Sequence, residues 1–205
     1  MKSALPGFGR AIVALLLLPA HFVTAQGTIT VLNTGGGQPL VSEARSLFVD
    51  GALVQPRLLF NVGFATDETV ALNAFLDSFT VTLQDSNHVF TAIYLTADAA
   101  GIVLAPPTPG TVVIDPATLV AEALAYPRLL PVFALQRAFA VNAPIPAQFS
   151  GSPIQVYFDL FDNLDPVASQ GWFSDLRIVA VPEPRTWTLL LLAGAVTGGF
   201  RRFKK

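Results

Sequence analysis

Runs of residues that alternate between apolar and polar are the feature that most restricts how this chain can fold. IQVYFDL puts Ile154, Val156, Phe158 and Leu160 on one side and Gln155, Tyr157 and Asp159 on the other. Only an extended strand with one buried face satisfies a period of two. SFTVTLQ repeats the pattern with Phe79, Val81 and Leu83 opposite Ser78, Thr80, Thr82 and Gln84, and VFTAIYL (Val89 to Leu95) follows it. SDLRIVA sets Leu176, Ile178 and Ala180 against Asp175, Arg177 and Val179. Turn signals rich in Gly, Pro and Asn, such as NTGGGQP, QDSNH, APPTPG and FSGSP, separate the runs. Many short strands joined by such turns predict an all-β chain folded as an antiparallel β-sandwich. One interruption is expected: Asp115 before Pro116 reads as a helix N-cap, from which ATLVAEALA continues for two turns.

The two ends are of different character. Lys2 and Arg10 precede a short apolar core, Ala11 to Leu18, and Val23 to Ala25 supply small residues before Gln26. This is the layout of a secretion signal, too short to span a bilayer, and residues 1–25 are expected to be removed. At the other end Pro182, Glu183 and Pro184 form a stiff break. The uncharged stretch Thr186 to Phe200 follows, and Arg201, Arg202, Lys204 and Lys205 close the chain. As a helix, residues 186–200 measure roughly 22 Å, a short transmembrane span beside a hydrocarbon layer of roughly 30 Å. Trp187 suits one interface and the basic cluster the cytoplasmic one, which leaves everything before Pro182 outside.

Between the ends, residues 26–180 form one domain with five arginines and no lysine against thirteen carboxylates, a formal charge of −8. A surface of that sign repels phosphates, so nucleic acid is excluded as a partner. The chain has no cysteine, which excludes disulfides, thiolate chemistry and cysteine metal sites.

The closing residues resemble the PEP-CTERM sorting signal of Gram-negative bacteria: Pro-Glu-Pro at 182–184, a short apolar helix over 186–200, and a terminal basic cluster. The resemblance covers Val181 to Lys205. It implies an exosortase partner, which would read Pro182, Glu183 and Pro184, remove the tail and pass the protein from transient membrane anchorage to the cell surface or extracellular space. A hydrophobic tail that is read and then removed follows the logic of a GPI signal. The alternative is an ordinary single-pass anchor, for which Gly194, Gly198 and Gly199 provide a helix-packing face. A second resemblance covers VYFDLFDNLDPVASQGWFSDLRIVAVPEP, which is similar to the last strands of PEP-CTERM ectodomains and, through them, to jelly-roll carbohydrate-binding modules. It implies a jelly-roll form of the sandwich, an association with exopolysaccharide or biofilm, and a calcium ligand at Asp175.

Candidate chemistry within the domain is sparse. His88 is the only histidine of residues 26–180, in a turn-like DSNH, and no G-x-S-x-G elbow presents a serine to it. Carboxylate pairs serve glycoside hydrolysis, but Glu43, Glu68 and Glu122 read as surface charges. Asp162, Asn163 and Asp165 read as a turn before Pro166. Trp172, Tyr94, Tyr126 and Tyr157 are the aromatic residues able to stack on a sugar face. Of these, Trp172 and Tyr157 are the expected carbohydrate contacts, Tyr157 because it sits on the polar side of its strand. Two functions follow: a non-enzymatic exported surface or matrix protein without a resident cofactor, or a secreted polysaccharide-acting hydrolase. Two carboxylates gathered with aromatic residues in one cleft favour the second; a closed sandwich with scattered acids favours the first.

Overall fold

The computed structural model of the chain describes residues 28–35, 38–70 and 75–180. The signal segment, the Pro-Glu-Pro motif, the apolar stretch over 186–200 and the basic cluster all lie outside the described residues. Among the described residues no helix is long and apolar enough to cross a membrane.

Among the described residues ten strands make two five-stranded antiparallel sheets. The first sheet has the order β1 (Thr30–Asn33), β10 (Ser169–Ala180), β3 (Pro56–Thr66), β8 (Leu135–Pro144), β7 (Val120–Ala123). The second has the order β2 (Leu40–Phe48), β9 (Pro153–Phe161), β4 (Ser78–Asp85), β5 (Thr91–Asp98), β6 (Ile102–Leu104). All-β architecture therefore stands, and the alternating runs become strands β4, β5, β9 and the second half of β10.

Alternation works because each strand buries one face. Leu58, Phe60, Val62 and Phe64 of β3 and Phe173 of β10 face Phe79, Val81 and Leu83 of β4 and Ile154, Val156, Phe158 and Leu160 of β9 across one core. Phe158 sits at the meeting point of the two sheets. Its ring stacks on Phe173 with centroids 3.7 Å apart, meets Phe60 edge-on at 6.2 Å and lies 6.5 Å from Phe79 on its own sheet. Such ring contacts add to the free energy of area burial, so this column fixes how the sheets face each other. Gly171 is needed here because a Cβ at its position would come within 2.5 Å of the Phe79 ring.

Two local expectations are corrected. Asp115 does cap, its Oδ1 accepting from the Ala117 N–H at 2.9 Å, but the helix stops after one 3-10 turn at Pro116–Thr118. Val120–Ala123 then pairs with β8, so tertiary pairing overrides the helix preference of VAEALA. In β5 the strand begins at Thr91 rather than Val89, and its register shifts opposite Val81/Thr82, where Tyr94 and Leu95 are both buried. That bulge lets the Tyr94 hydroxyl cross to the first sheet and donate to the Pro144 carbonyl at 3.1 Å.

β10 runs the length of the first sheet. Ser169 pairs with Thr66 at one end of the sandwich and Ala180 with Pro56 at the other. The register breaks between Ser174 and Arg177, which is how Phe173 and Leu176 both reach the core.

Candidate ligand-binding face

Strands β2, β9 and β4 turn a hydroxyl- and amide-rich surface outward from the second sheet. The residues are Gln155, Tyr157 and Asp159 on β9, with Ser42, Ala44 and Ser46 beside them on β2 and Thr80, Thr82 and Gln84 on β4. They are the polar halves of the alternating runs, so the same pattern that builds the core builds this face. It is internally bonded. Ser42 Oγ donates to Asp159 Oδ1 at 2.5 Å, the Thr80 and Thr96 hydroxyls meet at 3.3 Å, and Gln84 Nε2 donates to Thr91 Oγ1 at 3.2 Å. The Tyr157 hydroxyl donates to Gln155 Oε1. Burial pushes the Asp159 carboxyl above the usual aspartate range, and the Ser42 hydrogen bond opposes the shift. Tyr157 thus sits, half-buried, among donors and acceptors on a face free of lysine and arginine. Neutral hydroxylated ligands match such a surface better than charged ones.

Trp172 is placed differently. It lies on the outer face of the first sheet, 3% exposed, over Gly63 and with Tyr126 against it edge-to-face at 6.2 Å. The Tyr126 hydroxyl donates to Gln170 Oε1 at 2.6 Å, and Gln170 Nε2 donates to Asn33 Oδ1 at 2.8 Å. Trp172 and Tyr157 therefore stand on opposite outer faces, and the structure does not bring them together. In this conformation the Trp172 ring is covered by the segment after β7, and its Nε1 is buried without a hydrogen-bond partner.

Asp175 occupies the β10 bulge with a positive φ of 57°. Asn61 Nδ2 donates to its Oδ2 at 2.7 Å and Ser174 Oγ at 3.0 Å, while Arg177 Nη1 donates to its carbonyl at 3.3 Å. These bonds hold the bulge in shape. Among the described residues no group of three His, Asp or Glu side chains is arranged to hold a metal ion, at Asp175 or elsewhere. His88, in the β4–β5 turn, pairs its Nδ1 with Gln84 Oε1 at 2.7 Å rather than with a serine or a carboxylate.

One group of residues escaped the sequence reading. Glu68, expected as a surface charge, is 8% exposed and lies against Asp77, which is 0% exposed. The Asp77 N–H donates to Glu68 Oε2 at 2.9 Å, and Asn163 bridges both acids: its N–H donates to Asp77 Oδ1 and its Nδ2 to Glu68 Oε1, each at 2.8 Å. Burial, then the charge of Asp77, pushes Glu68 up to about 7, and burial raises Asp77 as well. The turn at 162–165 forms as expected, with Leu164 N–H on Asp162 Oδ1, Asp165 N–H on Asn163 Oδ1 and Val167 N–H on Asp165 Oδ1. A signal existed for two of the three segments: LDS and FDNLD fall where an alternating run begins or ends, which puts their acids at strand termini, whereas TDE follows β3, which no alternating run announced. What no local pattern carried was that the three termini share one end of the sandwich.

Comparison of the chain with protein-family models, with curated proteins and with solved structures yields no match, so the functional argument rests on the residues themselves.

Proposed function

We propose that this is an exported, non-enzymatic protein of the cell surface or extracellular matrix, carrying a PEP-CTERM signal that an exosortase processes. One observation carries the reading: directly after β10, the last described strand, the chain runs through Pro182, Glu183 and Pro184, an uncharged stretch over 186–200 and a terminal basic cluster. The strand orders β1-β10-β3-β8 and β2-β9-β4-β5, with β7 and β6 added at the edges, support the jelly-roll form of the sandwich, built from successive Greek keys. The Tyr157 face, rich in hydroxyls and amides, supports exopolysaccharide as the partner.

Among the described residues the carboxylates gathered closest for a hydrolase are Glu68 and Asp77, with Asp162 and Asp165 near them. The first two are buried among backbone amides and Asn163, out of reach of a glycosidic bond, and that burial favours the non-enzymatic reading.

Two experiments test the proposal. Mass spectrometry of the protein from its native host, with and without the exosortase, is expected to show loss of the residues after the Pro-Glu-Pro region only when the enzyme is present. An intact end at Lys205 in both cultures refutes sorting and leaves a membrane anchor. Separately, retention of the mature protein on host exopolysaccharide is expected to fall at least tenfold in Tyr157→Ala and to stay unchanged in His88→Ala.

A further inference from the structure

Three of the four sheet edges among the described residues are short: β1 and β7 have four residues each and β6 has three. β2 is the exception, nine residues long and paired with β9 in an unbroken register from Leu40 to Phe48. Its other side meets no strand among the described residues. Natural sheets blunt an open edge with lysine, proline, a bulge or brevity, and LVSEARSLF uses none of the four. The groups it leaves open follow from the ladder. The Val49 N–H donates to the Ser152 carbonyl at 3.1 Å and the Asp162 N–H to the Pro39 carbonyl at 3.0 Å, so the odd-numbered residues bond to β9. Leu40, Ser42, Ala44, Ser46 and Phe48 therefore direct their N–H and C=O groups away from it.

The side chains of this edge are self-complementary. With a second β2 laid antiparallel against the first and Ala44 opposite Ala44, Leu40 meets Phe48, Val41 meets Leu47, Ser42 meets Ser46 and Glu43 meets Arg45. Every even-numbered pair is then a hydrogen-bonded one, so each outward N–H and C=O finds a partner. Glu43 and Arg45 fall at the non-bonded pairs, where side chains come closest. Sliding the copy by two residues sets Glu43 against Glu43 in one direction and Arg45 against Arg45 in the other. Inward-pointing charges on an edge strand ordinarily deter pairing; here they oppose the neighbouring registers and favour one. Both are already positioned at the opening between the sheets. They pair with each other along the strand, each side chain 40% exposed, and Arg45 lies over the Phe173 ring, 5.3 Å from its centroid, with Nη2 donating to Thr30 Oγ1 at 3.3 Å. Leu40 and Phe48, both exposed, stand at the two ends of the strand.

We propose that β2 pairs with β2 of a second copy of the chain about a two-fold axis at Ala44, joining two five-stranded sheets into one continuous antiparallel sheet. The contact is isologous, so it closes after two copies instead of growing into a fibre. Around the axis the acids and arginines of the two copies alternate, each Glu43 between its own Arg45 and that of the other copy, which balances charge where the contact is most enclosed. Leu40 and Phe48 cover each other at both ends. The pairing also sets two Tyr157 faces side by side. Ala44 is the register partner of Tyr157, so the two tyrosines stand three strand spacings apart, about 14 Å, on one surface.

The test is sedimentation velocity of the protein purified from its host, with the fold of each variant followed by circular dichroism. A dimer with a Kd of about 1–30 µM is expected, the strength of a small interface. Glu43→Arg and Arg45→Glu each set like charges opposite one another and are expected to weaken it at least tenfold. An equal mixture of the two variants restores opposite charges across the contact and is expected to recover the wild-type dimer, which misfolding does not produce. The chain has no cysteine, so Ala44→Cys can link only to another copy. At about 5.5 Å between Cα atoms it is expected to form a disulfide dimer under mild oxidation. Ser42→Cys, about 13 Å from its own counterpart, is expected to link to Ser46→Cys and not to itself. A dimer held by residues 181–205 gives neither pattern. A monomer at about 300 µM, ten times the weakest expected Kd, overturns the proposal, whether the edge stays open or another protein takes it. Equal self-linkage at Ser42 and Ala44 overturns it as well, as does a mixture of the folded charge variants that fails to recover the dimer.

Discussion

Gly63→Ala is a one-carbon change with a calculable consequence. A Cβ on Gly63 would stand 2.0 Å from Trp172 Nε1, 2.3 Å from Cε2 and 2.8 Å from Cζ2. To restore ordinary contact at about 3.4 Å the indole must withdraw by roughly 1.4 Å. That motion drives it toward Tyr126, which is tied to Gln170 through a 2.6 Å hydrogen bond. Overpacking of this kind costs about 1–3 kcal/mol, partly offset by the roughly 0.5–1 kcal/mol gained when alanine replaces glycine within a strand. The expected net loss is about 1–2 kcal/mol, or roughly 2–8 °C in Tm for a domain of this size. In a Trp172→Leu background the obstacle is gone, and Gly63→Ala should become neutral or stabilising. The coupling energy of the cycle is therefore expected to be about 2 kcal/mol, well above the roughly 0.5 kcal/mol within which independent sites add. Guanidinium unfolding of the four proteins followed by far-UV circular dichroism measures it directly. Additivity within about 0.5 kcal/mol would refute the contact between ring and glycine.

Three further outcomes are expected. Phe158→Ala removes the ring that contacts Phe60, Phe79 and Phe173 and should cost about 3–5 kcal/mol in urea unfolding, against less than about 2 for Phe158→Leu; equal losses would show that the ring contacts add nothing. Asp159 holds its proton more tightly in the fold than when unfolded, because its folded value lies above 3.8. Its share of stability is thus complete at low pH and is lost as pH rises through the folded value, so Asp159→Asn should flatten the decline of the urea midpoint from pH 4 upward, measured in chelator. A slope identical to wild type contradicts that placement. Leu164 is exposed with φ at 67°, a backbone region that asparagine tolerates better than leucine; Leu164→Asn should raise stability by about 0.5–1 kcal/mol, and a loss of that size would argue against the turn conformation.

Much of the fold was legible because alternation is a local signal. Phe79, Val81, Leu83 and their counterparts on β9 announce a buried face without reference to the rest of the chain, and so does the polar set that includes Tyr157. The helix expected after Asp115 failed for the opposite reason: a good cap and a helix-favouring VAEALA are local, whereas the pairing of Val120–Ala123 with β8 is not. The β10 bulge was equally hidden, since SDLRIVA alternates cleanly in one dimension while the register against β3 breaks at Asp175. Glu68 shows the limit most plainly. Nothing in a stretch reading TDET marks its glutamate for burial; the partners that bury it come from residue 77 and from residue 163, brought in by two crossings between sheets.

The direction of β10 has a mechanical consequence. Whatever holds the chain beyond Ala180 grips it at the Pro56 end, while Glu68, Asp77 and Asn163 sit beside the Thr66 and Ser169 end. Twelve strand residues at about 3.3 Å each separate the two by roughly 40 Å. Pulling on the carboxyl end therefore loads β10 lengthwise, in shear against β1 and β3, so that many ladder hydrogen bonds resist together instead of opening one at a time. Glu68, Asp77 and Asn163 lie at the far end of β10, where such a load reaches them last, after the whole ladder of that strand.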